Sequence, residues 1–372
     1  MISPDRRIAI GTENHPADWL VSTPAGQSVL RAHRHSDHRP RCMCVPHGVE
    51  MYIGRRGTNY YLARMPGTGF LHAEDCESVE DNTFYSGAAA YMPGVIVEAA
   101  DGALSMVADL DRLQRPTDPI TAASMDGLLD LLTEHAALNR LPAHARSRSW
   151  PAIRDRLLSA SQWIRIGGEP LGARLFVPMR YELETSAASL IACEAFLKEH
   201  SDQGHALICA PLKDVIPTPY GWRVILKHLP NLRLWTSRDI ASTLQTRWGS
   251  PHFDTPPRWA LCLVSAKPGR LPGNYSITNM ACLPTDAHYM PCGEPRTATV
   301  LDALVAEGLS LLRPLRFDCD PQQPLADFVI LRDDTPEPVF VLAKENDVAC
   351  AEKSALVSIL RRNQAQVRVA VA

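Results

Sequence analysis

Cys42, Cys44, His72 and Cys76 form a C-x-C pair, 27 intervening residues and an H-x-x-x-C pair. Three thiolates and one imidazole are the donors of a closed tetrahedral Zn²⁺ site, and a hairpin between the pairs would return both ends to the same place. His47 or His38 is an alternative to His72 as the nitrogen donor. Four protein ligands leave no position open for water, so the expected zinc is structural and not catalytic. With no signal peptide in the first eleven residues, the ten cysteines are expected to stay mostly reduced, as in a cytoplasmic protein.

A second constellation lies near the carboxy terminus. Asp327 sits on an expected strand, Lys344 on its expected hairpin partner, and Glu294 at the start of the preceding helix. Acid, acid-x-Lys and an additional helix acid form the catalytic set of a Mg²⁺-dependent nuclease. There the carboxylates hold the metal, the metal activates water, and the lysine orients the nucleophile. A turn centred near residue 335 puts Asp327 opposite residue 343 or 344. The acid two positions before Lys344 is missing, because that residue is Leu342, and Glu345 alternates to the other face. Mg²⁺ is therefore expected only if the core is catalytic, and the expectation is a degenerate site.

A third group is basic. Residues 140–165 hold Arg140, Arg146, Arg148, Arg154, Arg156 and Arg165 against the single acid Asp155, with Trp150 and Trp163 among them. Guanidinium groups in such density suit phosphate contacts, and a solvated helix face with core tryptophans is the plainer reading. Arg31 to Arg41, with three histidines, leads into the first cysteine pair and could extend a basic footprint.

The elements that must position these groups fall into four segments, an α+β multidomain plan. Residues 1–118 read as a zinc-stapled β-rich module with strands at Glu50 to Gly54 and Asn59 to Met65. Residues 119–182 read as a winged-helix-like segment. It has a helix over Ser124 to Asn139, another over Ser149 to Ile164 with Pro151 in its first turn, a Gly167-Gly168 turn and a strand at Leu175. Residues 183–283 are mixed α/β. Residues 284–372 follow the order αβββαβ of a restriction-endonuclease-like core: a helix at Thr297 to Leu312, strands at Pro314, Leu325 and Pro338, a helix at Ala351 to Arg362 and a strand at Gln366.

Composition excludes several classes. Thirty-eight basic against 41 acidic residues rule out a globally basic coat, so any polyanion site is local. The longest apolar region, Ser86 to Leu104, is broken by Pro93, Glu98 and Asp101 and is not expected to span a membrane. No P-loop, H-E-x-x-H or G-x-S-x-G occurs.

Several motifs together carry a resemblance. They are Arg39-Pro40-Arg41-Cys42-Met43-Cys44, Met51-Tyr52-Ile53, Leu62 to Gly69, His72 and Cys76, then Leu138-Asn139-Arg140, Arg148-Ser149-Trp150, Leu175 to Pro178, Lys227 to Pro230 and Ala326 to Val329. On these the chain resembles a bacterial domain-of-unknown-function family of about 400 residues, often encoded on plasmids and integrative elements. The resemblance implies a mobile-element setting and one architecture along the chain, and it supplies no mechanism.

The combined expectation is a cytoplasmic DNA-associated accessory protein with DNA as partner, a structural zinc and a degenerate nuclease-like core. The alternatives are an active Mg²⁺-dependent nuclease and a protein-interaction scaffold with no nucleic-acid role.

Overall fold

The computed structural model describes residues 6–34, 36, 39–46, 48–56, 59–64, 72–73, 76–78, 86–92, 94–99, 101–113, 120–145, 148–200, 205–219, 221–242, 259–293, 295–319, 325–331, 339–344 and 367–371. Near the amino terminus β1 (Arg7–Ile10) and β2 (Glu13–Pro16) turn about Gly11, whose φ of 61° is a conformation glycine adopts without strain. α1 (Ala17–Ser22) and α2 (Pro24–His33) follow. Thr23 joins them: its hydroxyl donates to the Trp19 carbonyl at 2.7 Å and accepts from the Gly26 N–H at 3.0 Å, capping the second helix. β3 (Arg41–Cys42), β4 (Val49–Arg56) and β5 (Asn59–Arg64) complete a sheet of order β2-β1-β3-β4-β5. Alternation sends Ile8, Ile10, Cys42, Met51 and Ile53 to the face that packs with Leu20 and Leu30. The β4–β5 hairpin falls where the sequence places it. The two helices are additional, and Pro16, Pro24 and Gly26 hide them by interrupting the apolar period.

β6 (Ile96–Glu98) and β7 (Leu104–Met106) lead to α3 (Met125–His135), β8 (Arg140–Leu141) and α4 (Trp150–Trp163). Ser124 caps α3 as expected, its side chain accepting from the N–H groups of Asp126 and Gly127. β9 (Ile164–Ile166) and β10 (Glu169–Pro170) form a hairpin on Gly167 and Gly168, both at positive φ. β7 pairs in parallel with β9, so this hairpin lies in a four-stranded sheet of order β10-β9-β7-β6.

After β11 (Leu175–Phe176) and α5 (Ser186–Glu199) the chain builds a barrel. β12 (Ala206–Thr218), β13 (Gly221–Leu226) and β14 (Leu229–Thr236) form an antiparallel meander. β15 (Trp259–Pro268) and β16 (Asn274–Thr285) form a second antiparallel pair. β16 runs parallel to β14, and β15 pairs antiparallel with β12, which closes the ring in the order β12-β13-β14-β16-β15. The mixed α/β expectation for residues 183–283 thus resolves, among the described residues, into α5 and a closed β-barrel with a helical turn at residues 238–242.

Ile208, Ala210, Val224, Leu226, Leu234, Val264 and Ile277 belong to the core that this barrel shares with Cys193 and Leu197 of α5. Leu207, Cys209, Leu261, Leu263 and Ala281 belong to another core, with Leu128 and Leu132 of α3 and Ile153 and Leu157 of α4. Burial on both faces explains the unbroken apolar run from Ala206 to Ala210. The second core also takes in Tyr91 and Met106 from the first segment and Leu315 and Phe317 from the last, so it draws on all four segments of the sequence.

α6 (Pro295–Ala306) ends before Gly308, whose φ of 71° suits a helix terminus, so it stops at Ala306 and not at Leu312. β17 (Ser310–Leu312), β18 (Phe328–Leu331), β19 (Val339–Lys344) and β20 (Val367–Val371) then give a sheet of order β20-β19-β18-β17-β8. β17, β18 and β19 are antiparallel, and β20 is parallel to β19. Residues 314–317, expected as a strand, instead send Leu315 and Phe317 into the central core, with Phe317 at φ 50°. The helix expected at 351–362 lies outside the described residues. No described helix is long and apolar enough to cross a membrane.

Candidate metal centre

Cys42 ends β3, and its place among the inward-facing residues is fixed by alternation with Ile8 and Val49 as its cross-strand neighbours. Cys44 follows in the turn before β4. His72 and Cys76 come after β5, so the hairpin does return the second pair to the first. The ligand atoms of all four residues lie within 4.8 Å of one another. Cys42 Sγ is 3.6 Å from Cys76 Sγ, and His72 Nδ1 is 3.3 Å from Cys44 Sγ and 3.5 Å from Cys76 Sγ.

These lengths can be compared with a coordination tetrahedron. Metal–sulfur bonds of about 2.3 Å and a metal–nitrogen bond of about 2.0–2.1 Å set sulfurs roughly 3.8 Å apart and sulfur from nitrogen roughly 3.6 Å. These three edges are up to a few tenths of an ångström shorter and every remaining pair lies within 4.8 Å, so a modest adjustment of the four side chains would close a tetrahedron around a divalent ion. Cys42, Cys76 and His72 are buried, and no disulfide joins Cys42, Cys44 or Cys76. The S–H groups of Cys44 and Cys76 hold the Cys42 thiol far below its usual range, and the Cys42 thiolate pushes Cys44 and Cys76 up. A cation at the centre removes that conflict by stabilising all three thiolates.

Arg6 adds a feature the sequence reading missed. Its Nη1 pairs with Glu77 at 3.0 Å and its Nη2 donates to Ser78 Oγ at 2.5 Å. Burial opposes the guanidinium charge, but Cys42, Cys76 and Glu77 outweigh it and raise its pKa. Three thiolates around a divalent ion carry one net negative charge, and Arg6 stands beside it as the counter-charge. Only the folded sheet, which sets β1 against β3, makes that neighbour visible. The alternative donors His38 and His47 lie outside the described residues.

The carboxy-terminal set is placed differently from its expectation. Phe328 pairs with Val341 and Ile330 with Val339, and the Asp327 N–H donates to the Val341 carbonyl at 3.0 Å. This register centres the hairpin between residues 334 and 335 and aligns Asp327 with Leu342, not with residue 343 or 344. Lys344 ends β19, with Val371 of β20 as its partner in register. Asp327 is buried, and Arg313 Nη1 meets both its backbone carbonyl and its carboxylate, the latter at 3.4 Å. Glu294 lies outside the described residues.

The arginines divide by role. Arg154 Nε donates to the Val177 carbonyl at 3.0 Å, and its guanidinium lies 3.7 Å from Asp155. Arg148 donates to the carbonyls of Leu138 and Arg140, and Arg156 to that of Ala137 at 3.4 Å. Arg140, Arg148 and Arg156 thus gather on the turn at residues 137–140. None of the three forms an ion pair with a carboxylate among the described residues. Burial, then Arg156, pushes Arg148 down to about 10, with Asp286 opposing. Arg146 lies outside the described residues. Trp150 is core and donates to the Pro178 carbonyl at 2.9 Å, whereas Trp163 is half exposed.

The fold and site belong to a zinc-site-like, mixed α+β protein whose sequence pattern runs along most of its length. Residues 20–368 match the family described as proteins of unknown function, DUF1173, and the chain belongs to that family. No curated protein and no solved structure matches it.

Proposed function

We propose that the chain is a DNA-associated accessory protein with a structural zinc ion and a nuclease-like sheet that does not cut. The observation that carries the DNA reading is the gathering of Arg140, Arg148 and Arg156 on one turn with no described carboxylate in ion-pair reach. Held cations of one sign repel each other, and a phosphate backbone relieves that repulsion. α3, α4 and the β9–β10 hairpin supply the helix, helix and wing order of a winged-helix-like segment beside this turn. The mobile-element setting rests on the resemblance alone.

Zinc is the ion that three thiolates and an imidazole select in a closed tetrahedron, and it would staple a small module whose core is limited. A degenerate nuclease core is supported by Arg313, which occupies the Asp327 carboxylate that a Mg²⁺ ion would need, and by Leu342 in register with it. The test is binding of the full chain to labelled duplex DNA over a salt series, with and without Mg²⁺ or Mn²⁺. Binding that weakens with salt, less steeply by about two on a log–log plot in Arg140→Gln/Arg156→Gln, is expected. No binding, or salt-independent binding, contradicts the reading. Metal-dependent cleavage that vanishes in Asp327→Ala would make the core an active nuclease.

A further inference from the structure

The barrel has a strand order with a consequence for function. Its connections run meander, helical turn, hairpin. The third strand is parallel to the fifth, and the first pairs with both the second and the fourth. That is the five-stranded barrel of oligonucleotide- and oligosaccharide-binding proteins, in which the outer face of the second and third strands, flanked by two loops, receives a ligand. Topology alone does not assign a ligand, so the residues on that face must.

One cross-strand row runs around the wall there. Lys267 of β15 pairs with Ser276 of β16, Ser276 with Trp235 of β14, Trp235 with Arg223 of β13, and Arg223 with Ile216 of β12. Val224, Leu234 and Ala266, their neighbours in sequence, are buried, so alternation turns the row outward. Lys267 is exposed, and Ile216 is exposed although apolar. Arg233, also exposed, lies two residues before Trp235 on the same face, and Arg270 stands in the β15–β16 loop. Lys267, Arg223, Arg233 and Arg270 form no ion pair among the described residues. Arg223 Nε and Trp235 Nε1 are buried donors with no hydrogen-bond partner. A row of cation, hydroxyl, indole, cation and aliphatic side chain combines stacking surface with charge opposite to a phosphate backbone.

We propose that this face binds single-stranded nucleic acid, with a base on Trp235 and phosphates on Lys267, Arg223 and Arg233. The proposal shares with the reading above the premise that the chain handles nucleic acid, but it uses a different site and a different strand state. The experiment measures fluorescence anisotropy of the full chain with labelled oligothymidylate, oligouridylate and a duplex, the first two separating DNA from RNA. Trp235→Ala is expected to weaken single-strand binding about tenfold or more, whereas Trp235→Phe, which keeps a stacking face, stays within about threefold. Lys267→Gln, an exposed change that leaves the core alone, lowers the salt slope by about one and guards against a misfolded tryptophan variant. Single-strand binding unchanged in both Trp235→Ala and Lys267→Gln overturns the proposal, and the DNA reading still stands if Arg140→Gln/Arg156→Gln weakens the duplex. Loss confined to the barrel variants, with duplex binding indifferent to the arginine variants, upholds this site and removes the other. A wild-type chain that binds none of the three probes at low salt overturns both, leaving the face to an oligosaccharide or a protein.

Discussion

Arg6 faces sulfurs whose charge exceeds that of the ion they would hold by one, so its loss should be felt in metal affinity before it is felt in the fold. Arg6→Ala is expected to weaken zinc binding about tenfold, read by competition with a chromophoric chelator, while Arg6→Lys falls between. Cys42→Ala goes further and removes the metal. A different residue sets a pH dependence. Burial pushes the Glu134 carboxyl up to about 7, with Ser86 and Arg140 opposing. Its folded pKa is raised, so its contribution to stability is fully present below the unfolded value near 4.5 and is lost as pH rises toward 7. Glu134→Gln is therefore expected to raise the melting temperature at pH 8, by an effect on the order of 2 kcal/mol, and to leave it unchanged at pH 4. Equal shifts at both pH values would contradict the assignment.

At the scale of elements, the start of α3 is bound to a segment almost two hundred residues away. Asp318 accepts from the Ser124 hydroxyl, from the Ser124 N–H at 2.8 Å and from the Tyr91 hydroxyl at 2.6 Å. Asp130, farther along the same helix, accepts from the Phe317 N–H at 2.7 Å. Gly127 leaves the room these groups fill, because a Cβ there would collide with the Tyr91 hydroxyl and the Asp318 carboxylate. Gly127→Ala and Asp318→Ala are each expected to cost about 2–4 kcal/mol in urea unfolding, since each leaves buried polar groups unpaired. The Ser124 cap was legible in the sequence because a cap is local. The Asp318 tie was not, because it depends on a contact between distant segments. The hairpin of β18 and β19 was legible in kind and misplaced in register, since an acidic loop with several possible centres leaves the pairing to the packing of Phe328 and Ile330.

Across the whole molecule, patterns that repeat within a few residues were readable and closures were not. The zinc-type cluster follows from residue types and from one hairpin, and all four ligands named from the sequence come together. The barrel escaped because its closing pairs, β12 with β15 and β14 with β16, join strands that are not neighbours in sequence, and because two-sided burial erases alternation in β12. The helices α3 and α4 were found individually. Their shared core with the barrel was not, because periodicity identifies an apolar face without naming what covers it.

In the proposed reading, three sulfurs and one imidazole nitrogen hold a zinc ion that fixes the amino-terminal sheet. X-ray absorption at the zinc edge on the purified full chain, alongside metal quantification, reads that coordination. One zinc per chain is expected, with three sulfurs at about 2.3 Å and one nitrogen at about 2.0–2.1 Å, and none in Cys42→Ala. A chain with no zinc, or zinc surrounded mainly by oxygen, would contradict it.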